Sequence, residues 1–269
     1  MTKKNNFPKM LILMTLTMGA FSLALMLFAT TRDQNNNKPI SIDLSTFRLV
    51  QLEEPKVGDP IAIVDTTIGE VRFRLYPEYA PEAVNNFVSL AESGAYNDTY
   101  VFDAQNGAYS AMGAPNRNGS INGSYSQGSE HVERELHQNL WPFRGAVCML
   151  NTSYDQTLKE KIFGGGTYYC GSRFIILNSV KFTEEFSQDV RDSSFSPELA
   201  EAFIKQGGIP NFSQQMTIIG QTYKGYDIVD KLASLENQES GDYLMPKEEI
   251  KVISVKIDKF ADGDEIEKR

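Results

Sequence analysis

The chain has 269 residues and a formal net charge of −9. Its basic residues form no long run beyond Lys3, Lys4 and Lys9 at the N-terminus, which argues against a nucleic-acid partner. With an apolar leader and its linker set aside, about 200 residues are left, enough for one domain with a sizeable core.

Residues 10–29 carry no charge. As a helix they would reach roughly 30 Å, about the thickness of a bilayer core. The preceding lysines place residues 1–9 on the cytoplasmic side, so 10–29 reads as a transmembrane signal anchor. The chain is then a single-pass protein of the cell membrane with its domain on the extracytoplasmic side. A cleaved signal peptide, leaving the domain secreted, is the competing reading, although Leu27-Phe28-Ala29-Thr30 is a poor small-x-small exit. No cysteine occurs before Cys148 to take a lipid. Residues 30–60, polar and carrying Asn35-Asn36-Asn37-Lys38-Pro39, read as a linker.

The domain is expected over 61–260. Ile61 to Val64 and the alternating Val71, Phe73 and Leu75 predict a β-hairpin with one buried face. Pro81 opens a helix in which Val84, Phe87, Val88 and Ala91 share one stripe, and Gly94 ends it. Residues 106–130 are rich in Gly, Asn and Ser and read as a long loop, as do 151–166. Arg144 to Leu150, Ser172 to Leu177 and Met216 to Ile219 read as strands. A helical insertion is expected over about 183–210, with Ser196-Pro197 capping a helix stopped at Gly207. Tyr226 to Leu235 predicts a second core helix, and Ile250 to Ile257 a last strand whose alternation slips once. Residues 261–269 form a charged tail. Short strands with two core helices far apart in sequence predict a mainly β fold, a barrel closed by helices.

Other constellations are weak. Gly164-Gly165-Gly166 has no Lys-Ser/Thr after it and is no phosphate loop. Ser172 lacks a matched His and Asp. Asp103 reads as a solvated loop carboxylate. Cys148 and Cys170 read as two free thiols, although an extracytoplasmic site permits a disulfide. His131 and His137 sit in no metal-ligand spacing. No cofactor and no metal are expected.

The run TTIGEVRFRLYPEYAPEAVNNF, the stretch Arg134 to His137 with RGAVCMLN, the strand Cys170-Gly171-Ser172-Arg173-Phe174-Ile175-Ile176 and the block GQTYKGYDIVDKL occur in that order. Together they resemble the cyclophilin-type peptidyl-prolyl cis-trans isomerases over about residues 61–258, and the helical insertion is similar to that of membrane-anchored Gram-positive forms. The resemblance implies a closed antiparallel β-barrel capped by two helices. It implies a cofactor-free isomerase whose partners are proline-containing segments of exported or surface proteins. It also exposes a departure: Phe102-Asp103-Ala104 stands where the family has Phe-His-Arg, so the catalytic arginine falls on Ala104. The family's pocket positions fall on Tyr109, Met112, Ile175, Phe212 and Met216, with Leu150 beside them. Arg173 replaces a glutamine two positions before Ile175. Strand residues i and i+2 face one side, so Arg173 is the candidate for a relocated guanidinium, against the reading of a solvated surface arginine. Two outcomes stay open: an isomerase with weak or altered catalysis, or a non-catalytic module or chaperone that binds proline segments. A structural spacer is a third.

Overall fold

A computed structural model describes residues 39–121, 132–153 and 168–267. The anchor expected at 10–29, His131 and the Gly164–Gly166 run lie outside the described residues. Among the described residues no helix is long and apolar enough to cross a membrane.

The strands are β1 (Pro60–Thr66), β2 (Gly69–Leu75), β3 (Thr99–Ala104), β4 (Tyr109–Ala114), β5 (Val132–Glu133), β6 (Ala146–Ser153), β7 (Tyr168–Leu177), β8 (Ile218–Lys224), β9 (Asn237–Ser240), β10 (Tyr243–Pro246) and β11 (Lys251–Lys259). The sheet runs β4-β3-β11-β1-β2-β8-β6-β7, and pairing of β4 with β7 closes it into an antiparallel barrel. The short β5 extends β7, and β9 with β10 forms a separate hairpin. Helix α1 (Pro81–Glu92) and helix α4 (Tyr226–Ala233) close the barrel, while α2 (Glu184–Ser193) and α3 (Pro197–Gln206) form the insertion.

Period-two patterning sets the barrel's inner face. Ala62, Val64, Val71, Phe73 and Leu75 point inward, against Val84, Phe87 and Ala91 of α1 and Val229 and Leu232 of α4. Phe87 packs on Phe73 and Phe174 at ring-centroid distances of 5.8 and 5.5 Å. The slip in the last strand is a β-bulge: Asp65 pairs with Ser254 and Thr66 with Val252, leaving Ile253 unpaired.

Helix α1 starts on Ala80, whose side chain cannot accept a hydrogen bond. Glu135, remote in sequence, supplies the missing cap: its carboxylate accepts from the backbone N–H of Glu82 (3.3 Å) and of Ala83 (2.8 Å). It also places a negative charge at the positive end of the helix. Glu135→Ala is expected to cost about 1 kcal/mol, seen as a lower urea midpoint at unchanged slope; an unmoved midpoint would refute the cap.

Two expectations need correction. Residues 39–60 are not a linker: Phe47, Val50 and Gln51 are buried. Gln51 donates to the Trp141 carbonyl and the Gln221 amide oxygen, both at 2.9 Å, and accepts from the Trp141 N–H at 2.5 Å. Phe47 joins Trp141, Phe143, Val190, Leu199 and Phe203 in the cluster that docks α2 and α3. The stretch 106–130 is not loop throughout, since β4 occupies its beginning. Its small residues fit a crowded wall, where a Cβ on Gly113 would lie 2.9 Å from the Ser172 carbonyl oxygen. The region between α4 and β11, to which the sequence assigned no element, holds the β9–β10 hairpin.

Both cysteines are free and buried. Cys170 faces the barrel interior and Cys148 the outer cluster, so the sheet separates them. Burial pushes the Cys170 thiol up to about 11, and the Cys148 thiol also rises through burial, which keeps both in the unreactive thiol form.

Candidate functional site

The outer faces of β3, β4, β6 and β7 carry a second apolar cluster. Phe102, Ala111, Cys148, Ile175, Leu177 and Ile218 form its buried floor. Tyr109, Leu150, Phe212, Met216 and Tyr243 lie over that floor, partly buried. Alternation along β7 explains the division: Phe174 and Ile176 enter the barrel, and Ile175 and Leu177 face out. Phe212 comes from the 3₁₀ turn Pro210–Phe212, and its ring lies 5.9 Å from that of Tyr109.

The structure thus brings Tyr109, Leu150, Ile175, Phe212 and Met216 into one cluster. Met112 does not join them. It is fully buried inside the barrel with Phe174, and its neighbour Ala111 takes the outward place. The β3–β4 register shifts between Tyr100 and Val101 and again between Val101 and Asp103. Within β4 plain alternation still holds: Tyr109 and Ala111 face out and Met112 faces in. The expectation for Met112 came from the family's motif, three positions after Tyr109, and not from the strand period.

Ala104, at the family's arginine position, is fully buried, and its carbonyl accepts from Asn237 Nδ2 at 2.8 Å. Asp103, expected to be solvated, is also buried. Its Oδ1 accepts from the Leu244 N–H at 2.8 Å and from Gln105 Nε2 at 2.7 Å. Burial raises the carboxyl pKa above its ordinary value, opposed by hydrogen bonds from Leu244, Gln105 and Tyr109. The Tyr109 phenol is pushed up to about 12, first by burial and then by the Asp103 charge.

Arg173 projects onto the same outer face as Ile175. It is only 8% exposed. Its Nη1 donates to the Gly119 carbonyl at 3.0 Å and to the Tyr243 hydroxyl at 3.1 Å, and its guanidinium carbon lies 6.0 Å from the Phe102 ring centroid. Among the described residues, Nε and Nη2 have no protein acceptor. This is not the solvated arginine of the alternative reading but a held one, with part of its donor set unspent.

The sequence reading missed Tyr243 and the hairpin that carries it. Tyr243 stacks edge-on against Phe102 at 4.9 Å. Gly241-Asp242 between two four-residue strands is a two-residue hairpin turn that composition alone could have flagged.

Ser172 is buried, and among the described residues its hydroxyl has no hydrogen-bond partner. His137 packs on Tyr79 at 4.5 Å and accepts from the Asn139 N–H. Among the described residues no group of three His, Cys, Asp or Glu could hold a metal.

Residues 61–163 match the family model described as cyclophilin type peptidyl-prolyl cis-trans isomerase/CLD. A Staphylococcus saprophyticus protein named "Putative peptidyl-prolyl cis-trans isomerase" is 27% identical over 195 residues, covering 72% of this chain and 90% of that protein. A Staphylococcus aureus protein of the same name is 24% identical over 206 residues, covering 77% and 95%. The fold is similar to that of a solved Cryptosporidium parvum cyclophilin type peptidyl-prolyl cis-trans isomerase, with a TM-score of 0.52 at 20% identity, covering 75% of this chain and 98% of that one. A second structure of that protein, in the presence of the dipeptide Ala-Pro, gives a TM-score of 0.50 at 19% identity.

Proposed function

Because the chain belongs to the cyclophilin-type peptidyl-prolyl cis-trans isomerase family, we propose that its outer-face cluster receives proline-containing segments and that Arg173 acts on them as a relocated guanidinium. The observation that carries this reading is the anchoring of Arg173 on the face of Ile175, with Nε and Nη2 unused. Rotation of an Xaa-Pro bond faces a barrier of about 18–20 kcal/mol from amide resonance and takes tens to hundreds of seconds uncatalysed. A catalyst has to hold the ring against apolar groups and stabilise the twisted amide. Ile175, Phe212, Met216, Leu150 and Tyr109 offer the apolar surface, and Arg173 offers fixed N–H donors in a partly dry setting. Catalysis is altered relative to the family because the donor starts from β7 instead of from the Ala104 position on β3.

A protease-coupled isomerisation assay on the full chain, run beside a titration with the same proline peptide, tests this. Turnover supports the isomerase reading. Binding without turnover supports the second one, a non-catalytic proline-binding module or chaperone. That alternative is favoured by the β9–β10 hairpin, which lays Tyr243 over Phe102 and Leu244 over Asp103. Neither binding nor turnover sinks both.

The uncharged 10–29 segment supports an extracytoplasmic placement, with clients among exported or surface proteins. Protease added to intact cells is then expected to remove the domain, whereas full protection until lysis would place it inside.

A further inference from the structure

The β9–β10 hairpin is tied by hydrogen bonds to β3 and to the segment that follows β4. Asn237 reaches the Ala104 carbonyl at 2.8 Å, the Leu244 N–H reaches Asp103 at 2.8 Å, and Arg117 Nη2 donates to the Pro246 carbonyl at 2.9 Å. Between these ties stands Tyr243. One edge of its ring meets Phe102, and its hydroxyl receives a hydrogen bond from Arg173 Nη1. Gly119, whose carbonyl is the other acceptor for Nη1, fits against both rings: a Cβ there would lie 2.6 Å from Phe102 Cδ2 and 2.8 Å from Tyr243 Cε2. Phe102, Gly119 and Tyr243 therefore form a three-sided seat around one end of the guanidinium.

We propose that Tyr243 is the positioning residue for Arg173, and that the β9–β10 hairpin turns a flexible side chain into an oriented donor at the proline site. This rests on the reading of Arg173 given above. A free arginine samples many rotamers, and ordering it on each encounter weakens whatever it binds. Two acceptors on Nη1 remove that freedom beforehand. They also fix which edge of the guanidinium is left over, so Nε and Nη2 are presented together. The hairpin thereby compensates for moving the donor from β3 to β7: β7 supplies the residue, and the hairpin supplies its direction. Tyr243 does not itself touch substrate in this scheme.

A double-mutant cycle tests the proposal. Y243F keeps the ring against Phe102 and Gly119 and deletes only the acceptor. The parent, Y243F, R173A and the double variant are compared for kcat and KM on a proline peptide, and for Kd on the same peptide, all below the melting onset of every variant. Y243F is expected to lower kcat about tenfold with little change in KM, and to add nothing in the R173A background. If turnover is absent but binding persists, the same pattern is expected in Kd. R173A impaired with Y243F silent overturns the positioning role and leaves the reading of Arg173 standing. A Y243F loss that persists at full size in the R173A background also overturns it, since Tyr243 would then act by another route. R173A indistinguishable from the parent in both turnover and binding overturns the Arg173 reading and the positioning role together.

Discussion

Arg173→Ala is expected to lower kcat/KM for a proline peptide by about 100- to 1000-fold, the loss typical of one preorganised donor at a site of developing charge. The expectation follows from where the guanidinium is held. It is nearly buried, and its Nη1 is tied to Gly119 and Tyr243. Its remaining N–H groups act where water competes weakly, so each is worth more than on an open surface. The fold should survive the change. The contact with Phe102 is worth about 1 kcal/mol, and Arg173 has no carboxylate partner among the described residues to be left buried and unpaired. Arg173→Lys should retain only part of the activity, because a point charge cannot reproduce the planar fork. R173A turning over at the parental rate would remove Arg173 from the mechanism, and lysine matching arginine would show that charge alone matters.

The barrel was legible because its wall obeys simple periods. Val71, Phe73 and Leu75 alternate, and Val84, Phe87 and Ala91 recur at helical spacing; each pattern follows from one face meeting the core. The site was legible only in part. Ile175 and Arg173 could be placed on one face because β7 is regular, so i and i+2 agree. Met112 was placed there by the family's motif alone, and the period of β4, with Tyr109 and Ala111 outward, turns it into the barrel. Asp103 read as solvated because its burial comes from a hairpin about 140 residues later in the chain, through Leu244. The same long-range dependence hid residues 39–60. Phe47, Val50 and Gln51 are buried in a short stretch that belongs to no barrel strand or core helix, and the Gln51 partners Trp141 and Gln221 lie 90 and 170 positions further on. A fragment trimmed to residue 61 would strip that packing and leave the Trp141 and Gln221 groups unpaired.

Gly208→Ala is the substitution expected to cost most in stability, about 3 kcal/mol or more. Gly208 has φ +133°, a region L-residues rarely enter. The larger obstacle is steric, since an added Cβ would lie 2.3 Å from the Pro142 carbonyl oxygen and 2.7 Å from Phe143 Cα. Both are backbone atoms and cannot rotate aside, so the chain itself has to move. Three hydrogen bonds fix it there: the Gly208 N–H to Ser179 Oγ at 3.0 Å, the Val180 N–H to the Gly208 carbonyl at 3.1 Å, and the Ile209 N–H to the Pro142 carbonyl at 2.9 Å. The residues next in line, 209–216, deliver Phe212 and Met216 to the outer cluster. A shift at Gly208 should therefore weaken peptide binding as well as lower the melting temperature. Gly58 supplies the comparison: φ is +94° and a Cβ there would meet nothing within 4 Å, so Gly58→Ala carries the conformational cost alone, about 1–2 kcal/mol. If the two alanine variants unfold at the same urea concentration, the close approach to Pro142 and Phe143 is not what holds the 209–216 segment in place. A clear gap between them, with peptide binding lost only in G208A, would show that this backbone contact carries the site.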